Sequence, residues 1–183
     1  MKIRLYVSLS LLIMLVSFGC GGSAEIEREQ AQDAMNRAKT YDADSLASSD
    51  FQKAQVAWDH AQAAEKEGKT GSAKVLFTSA QIFFDKAADI AKSRREALSR
   101  ELEQMEGMIS KNFGQVKFDL SSSALSPKQK SQVAALVSEI EEDNAAIDKL
   151  VANGDLSEAV VKSKEVQTKI YHAQLILAGR KVK

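Results

Sequence analysis

Cysteine and histidine can bind metals or act as nucleophiles and bases, and this chain contains few of either. It has one cysteine, Cys20, and two histidines, His60 and His172, among 183 residues. A single cysteine cannot form an internal disulfide, and these three residues leave little for a zinc site. We therefore predict that the chain has no resident metal and no cofactor.

The histidines are also the natural candidates for a catalytic base. Asp59 precedes His60 and could orient it, but a polar position on a helix surface is the interpretation that we favour for His60 and for His172. The chain has no glycine-rich phosphate loop, no His-Glu-x-x-His motif and no Gly-x-Ser-x-Gly motif. The sequence therefore predicts no catalytic residues, and we expect a protein that is not an enzyme.

The residues before Cys20 suggest a different chemistry for that thiol. Lys2 and Arg4 precede an uncharged run at 5–18, which is shorter than the roughly 20 apolar residues that span a bilayer. Its length is typical of a signal-peptide core. The run ends in Ser17-Phe18-Gly19-Cys20, which resembles the lipobox of bacterial lipoproteins, although Ser17 stands where leucine is usual. The alternative is an ordinary secretory signal with an incidental cysteine.

The lipobox resemblance implies a role for each segment of the first 23 residues. Residues 1–19 would be a lipoprotein signal peptide, Cys20 the lipidation site, and 20–23 a lipidated linker. Cleavage would remove two basic residues and change the formal charge from zero to −2. Two or three acyl chains on Cys20 would bind membrane lipid firmly. Gly21 stands where an aspartate retains enteric lipoproteins at the inner membrane, which implies the outer membrane of a Gram-negative bacterium, facing the periplasm.

Charge and alanine content limit what the rest of the chain can be. The 25 basic and 25 acidic residues balance, whereas nucleic-acid binders usually have a basic excess, so we expect no nucleic-acid partner. Residues 24–97 contain 17 alanines, against nine in 98–183. Alanine is the best helix former, and its small side chain lets helices approach closely. We therefore predict an Ala-rich helical module at 24–111.

Apolar residues recur at helical spacing along most of the chain. They predict an all-α, elongated helical bundle, or set of hairpins, of about five helices. The second helix is predicted at about 50–67, and the third is a long helix at about 72–111. A connector at 112–126, a C-terminal helical hairpin at 127–179 and a basic tail at 180–183 follow. The only strand signal is Val116-Lys117-Phe118, which is too short to support a sheet.

Local end signals place several helix boundaries. Gly68, Gly154 and Gly179 suit positions at or beyond helix ends. Three pairs suit capping boxes, in which the side chain of each residue accepts a hydrogen bond from the backbone N–H of the other. These pairs are Ser49 with Gln52, Ser126 with Gln129, and Asp155 with Glu158.

The alanine spacing also suggests a family. The pattern consists of Phe51, Ala54, Ala57 and Ala61, a turn at 67–69, and then Ala73, Ala80 and Ala87. Residues 31–97 thereby resemble the Ala-rich module of periplasmic lipoproteins of the domain-of-unknown-function 4398 type. The resemblance implies a periplasmic helical hairpin and assigns no activity.

Two weaker resemblances concern interaction modules. Gly68 with Ala73, and Gly154 with Ala159, look like the entry to the second helix of a tetratricopeptide repeat. They lie 86 residues apart instead of the 34 of a tandem array, so they support a scaffold more than a true repeat protein. Residues 116–119 with 124–127 look like the start of an outer-membrane-protein-A-like peptidoglycan-binding domain. Only 56 residues then remain, and their pattern predicts two helices instead of mixed strands.

Charged and aromatic clusters leave alternatives open. The basic cluster Lys92, Arg94 and Arg95 could bind anionic lipid or glycan, and the acidic cluster Glu139, Glu141, Glu142 and Asp143 could bind a basic partner or a divalent ion. We favour solvated helix faces for both clusters. The aromatic residues Trp58, Phe77, Phe83 and Phe84 could grip a ligand if exposed, but their spacing favours a core.

We therefore expect a membrane-anchored periplasmic lipoprotein with a structural or protein-interaction role in the cell envelope. Its partners would be membrane lipid, through acylated Cys20, and an envelope protein. The alternative is a small-ligand or peptidoglycan-binding module. A groove lined by Phe77, Phe84 and Trp58 would favour ligand binding, whereas their burial in one core would favour the scaffold.

Overall fold

The structure of the chain, a computed structural model, describes residues 23–122 and 124–179. The predicted signal peptide at 1–19, Cys20 with the linker up to residue 22, and the basic tail at 180–183 lie outside the described residues. Every element in the described part is an α-helix: α1 (Glu25–Thr40), α2 (Ala43–Leu46), α3 (Ser48–Lys66), α4 (Thr70–Ser122), α5 (Pro127–Asn153) and α6 (Leu156–Leu177). The prediction of an all-α fold with one long helix is confirmed.

The chain divides into two compact units, and the division falls within α4, between Ser93 and Arg94. The described part of the N-terminal unit contains α1, α2, α3 and the first part of α4. Its core is built mainly of alanine, because one methyl group per position lets the helices pack closely. Its fully buried alanines are Ala31, Ala34, Ala38, Ala43, Ala54, Ala61, Ala73, Ala80, Ala87 and Ala91.

The C-terminal unit contains the rest of α4 together with α5 and α6. Its core is richer in large aliphatic side chains than that of the N-terminal unit. Lys117 Nζ of α4 lies 3.6 Å from a carboxylate oxygen of Glu141 in α5, and Lys164 Nζ of α6 lies 2.9 Å from one of Glu101 in α4. The buried residues of this core are Ile109, Phe113, Val116, Val133, Ile140, Val166, Ile170 and Ala173.

The long helix α4 continues beyond its predicted end at 111. The predicted connector at 112–126 is helical as far as Ser122, and the predicted strand signal at 116–118 lies within this helix. Phe113 and Val116 are buried at helical spacing after Ile109, so core packing outweighs the cost of about 1 kcal/mol of a mid-helix glycine, Gly114. The predicted connector is wrong over 112–122. The burial of Phe113 and Val116 against residues distant in sequence, and not the local sequence, makes this segment helical.

The predicted glycine turns are confirmed. Gly68, after α3, has a φ of 73°, and Gly154, between α5 and α6, has a φ of 88°; both lie in the left-handed region that favours glycine. An additional turn was not predicted. Asp42 has a φ of 56° and is the N-cap residue of the short helix α2, so the described residues contain six helices where about five were expected.

The three predicted capping boxes differ in outcome. At Ser126 the box is present, with the Gln129 N–H donating to Ser126 Oγ at 3.3 Å and the Ser126 N–H donating to Gln129 Oε1 at 3.1 Å. At Ser49 it is wrong, because α3 begins at Ser48, two residues earlier than predicted, with Ala47 as its N-cap. Asp155 is the N-cap residue of α6, as predicted, but its side chain makes no capping hydrogen bond.

Candidate functional site

The aromatic residues lie in a core and not in a groove. Phe77 and Phe84 are fully buried, and only 7% of Trp58 is exposed. The ring of Trp58 meets that of Phe77 edge-on with centroids 5.2 Å apart, and Phe51 meets Phe84 in the same way at 5.4 Å. Edge-to-face pairs of this kind stabilise cores beyond simple area burial. The prediction of core packing is confirmed for these residues, and Phe83 packs against the same core, partly buried.

The two histidines are not assembled into a site. His60 is exposed on α3, and the adjacent Asp59 carboxylate accepts a hydrogen bond from Gln55 Nε2 at 3.0 Å. His172 is half-buried beside Tyr171, with ring centroids 6.4 Å apart. Within residues 23–122 and 124–179, no group of three or more histidine, cysteine, aspartate or glutamate side chains could hold a metal ion.

The predicted basic cluster of Lys92, Arg94 and Arg95 lies on α4. Lys92 and Arg94 are exposed and Arg95 is half-buried. Both arginines have an interaction partner. The favoured interpretation of a helix face in contact with solvent fits Lys92 and Arg94.

Asp143 is the member of the acidic cluster that differs from the expected solvated face. Its neighbours Glu139, Glu141 and Glu142 are exposed, but only 12% of the Asp143 side chain is exposed. Asp143 Oδ1 lies 2.8 Å from Lys162 Nζ, and Oδ2 lies 2.9 Å from Lys169 Nζ. Oδ2 has no hydrogen-bond partner in the described residues, so this second contact is an ion pair. The prediction of a solvated face is therefore wrong for Asp143.

The two lysines decide the ionisation of this carboxylate. Burial alone would raise the pKa of Asp143, but the hydrogen bond from Lys162 and the positive charges of Lys162 and Lys169 outweigh it and lower that pKa. In turn, Glu139 and Asp143 raise the pKa of Lys169, and Asp143 and Glu165 raise that of Lys162. Because both lysines belong to α6 and Asp143 to α5, the charges join these two helices. Asp143 and the two lysines therefore form an ion-pair clamp between α5 and α6.

A half-open groove of about 780 Å³ lies in the C-terminal unit, and we name it the α4–α5 groove. Its volume falls in the range of about 300–1,000 Å³ that is typical of ligand sites. One wall is formed by α4, the other by α5, and one buried residue of α6 also lines it. The lining residues are Leu102, Glu106, Ile109, Ser110, Phe113, Gly114, Lys117, Asn144, Ile147, Asp148, Val151 and Ser163.

The sequence contained only part of the signal for this groove. The helical spacing identified Leu102, Ile109, Ile147 and Val151 as apolar face positions. It could not indicate that α4 and α5 stand far enough apart to leave a groove between them. The Phe113 contribution was missed because residues 112–126 were predicted as a connector.

Comparisons of the chain with protein-family models, curated proteins and solved structures found no match. The resemblances drawn from sequence therefore remain predictions. None of the helices in the described residues combines the length and the apolar character needed to cross a membrane.

Proposed function

We propose that this chain is a lipid-anchored periplasmic lipoprotein that acts as a structural or protein-interaction component of the cell envelope. The observation that carries the scaffold part of the proposal is the burial of Trp58, Phe77 and Phe84 in one alanine-rich core. These side chains would have to be exposed to grip a ligand. The outer faces of the helices in this unit instead carry ion pairs such as the exposed pair of Arg37 with Asp85, and Lys86 with the half-buried Asp50.

The anchor part of the proposal is supported by the segment that ends at Cys20. A positively charged start, an uncharged run and a small residue before a lone cysteine are the features that lipoprotein processing requires. The outer membrane, facing the periplasm, is the location that Gly21 favours.

Changing Cys20 to serine should abolish acylation and release the protein from membranes. In cells grown with labelled palmitate, the wild-type chain should carry the label and sediment with the outer membrane, because two or three acyl chains bind lipid firmly. The Cys20→Ser chain should carry no label. Ser23→Ala, a small change at a neighbouring position, is the matched control and should behave as wild type. Label on the Cys20→Ser chain, or an unlabelled wild type, would sink the anchor proposal.

The alternative function is binding of a small ligand or of peptidoglycan. The α4–α5 groove is the specific observation that favours a ligand, since its volume suits one. The structure does not favour peptidoglycan binding. Residues 116–118 form part of α4, whereas the resemblance to an outer-membrane-protein-A-like domain requires an opening strand there.

Crosslinking in cells and binding to cell walls should distinguish the two functions. A scaffold should give discrete crosslinked adducts with envelope protein, whereas purified cell-wall sacculi should not retain the full chain. Retention on sacculi that soluble wall fragments compete away would favour the peptidoglycan-binding alternative. Crosslinking that yields no protein adduct would count against the scaffold.

A further inference from the structure

The α4–α5 groove has the dimensions of a helix-binding site. It follows α4 from Leu102 to Lys117, which corresponds to about 22 Å at 1.5 Å per residue, or roughly four turns. Its apolar lining is distributed over both walls. Amphipathic helices are bound in such grooves through side chains at i, i+3, i+4 and i+7. The apolar lining residues are Leu102, Ile109 and Phe113 of α4 and Ile147 and Val151 of α5.

The available charge in the groove is acidic. Glu106 on α4 and Asp148 on α5 are exposed, and neither forms an ion pair with any residue in the described part of the chain. The lining also contains one base, Lys117, but its Nζ is 3.6 Å from a Glu141 carboxylate oxygen and 4.5 Å from the centre of the Phe113 ring. Lys117 is thus already engaged, and a basic partner would complement the two acidic walls.

Small and polar residues allow a partner backbone to approach closely. A Cβ atom added at Gly114 would meet no heavy atom within 4 Å, so the wall is open at that position. Ser163 of α6 is 2% exposed and lines the groove, and no hydrogen bond joins its side chain to another described residue. This hydroxyl group can therefore bond to an occupant of the groove.

We propose that the α4–α5 groove binds an amphipathic helix of a partner protein, with an apolar face flanked by lysine or arginine residues. This inference rests on the proposed protein-interaction function and names the chemistry of its partner. A helix is favoured over a small ligand because the groove is long, half open, and acidic on both of its walls.

A synthetic helix provides the probe. We would place the full chain in phosphatidylcholine nanodiscs and titrate it into a fluorescently labelled 16-residue peptide with leucine on one face and lysine on both flanks. Fluorescence anisotropy should show saturable binding above that to empty nanodiscs. The same peptide with glutamate replacing each lysine should bind at least about tenfold more weakly, because its charges repel Glu106 and Asp148.

Two glycines of α4 provide matched variants. Gly114 lines the groove and Gly107 does not, yet both are exposed and neither has a neighbour within 4 Å of an added Cβ. Leucine is also a better helix former than glycine at both positions, so neither variant should fail to fold. Gly114→Leu should fill the groove and weaken peptide binding at least about tenfold, whereas Gly107→Leu should bind within about twofold of wild type.

Four results would overturn the proposal. They are absence of saturable peptide binding, equal binding by the two glycine variants, equal binding of the lysine and glutamate peptides, and binding of dodecylammonium in the groove without binding of the peptide. The last result would assign the groove to a small cationic amphiphile. The palmitate label and the crosslinked adducts in cells are independent of this titration, so its failure is distinguishable from failure of the proposed function.

Discussion

Replacing Asp143 with asparagine should lower the free energy of unfolding of the C-terminal unit by about 2–3 kcal/mol. The substitution keeps the shape of the side chain but removes the charge that Lys162 and Lys169 share. Both ammonium groups then remain at a partly buried helix interface without their common partner, at 31% and 29% side-chain exposure. Lys162 still pairs with Glu165 and Lys169 with Glu139, so the loss should stay below the roughly 3–5 kcal/mol of breaking a fully buried ion pair. Urea unfolding followed by far-ultraviolet circular dichroism would measure the loss.

Glu142→Gln is the matched control for this substitution. It removes one negative charge from the adjacent residue, which is exposed, and it should change the free energy of unfolding by no more than about 0.5 kcal/mol. Similar midpoints for the Asp143→Asn and Glu142→Gln chains would show that the clamp between α5 and α6 does not contribute to stability.

The same contact makes stability depend on pH in a defined direction. The pKa of Asp143 is lower in the folded chain than its ordinary value of about 3.9, so the folded state gains stability above that value. This gain is lost as pH falls through the lowered folded pKa. The wild-type chain should therefore lose its advantage over Asp143→Asn below about pH 4. A constant difference between the two chains from pH 7 to pH 3 would contradict this account.

Phe84→Ala should destabilise the N-terminal unit by about 3–4 kcal/mol. Phe84 is fully buried and packs edge-on against Phe51, and its neighbours in the core are largely alanines that cannot reach into the vacated space. A cavity would therefore remain after truncation. Trp58 is the only tryptophan of the chain and lies in this unit, so its fluorescence during urea unfolding reports on the change.

Ile82→Ala is the control for the phenylalanine substitution. Ile82 lies two residues earlier on α4 and is 60% exposed, so its truncation should cost no more than about 0.5 kcal/mol. Equal losses for the two variants would mean that Phe84 does not have the structural role that its burial indicates.

Features that depend on local sequence could be predicted, and features that depend on distant contacts could not. The alanine and phenylalanine stripes specify helices by their periodicity, and Gly68 and Gly154 end helices by their own conformational freedom. By contrast, Gly114 and the serines near it resemble a connector unless the burial of Phe113 and Val116 against α5 and α6 is known. The left-handed turn at Asp42 also lacks the glycine that would have indicated it.

The candidate sites show the same division. The sequence placed Asp143 beside three other acidic residues, and nothing in that run distinguishes the one carboxylate that two lysines of α6 bind. Likewise, Glu106 and Asp148 are ordinary surface residues in the sequence. They line one groove only because the C-terminal part of α4 and α5 lie side by side in the folded C-terminal unit. Neither relation can be obtained from spacing within one helix.

The alanine core of the N-terminal unit also has a thermodynamic consequence. The heat-capacity change of unfolding depends on how much apolar surface becomes exposed to water. Ten fully buried alanines expose much less such surface than ten leucines or isoleucines would. The unit should therefore unfold with a smaller heat-capacity change per residue than the C-terminal unit. Its stability would then vary gradually with temperature, with a flat maximum and weak cold destabilisation.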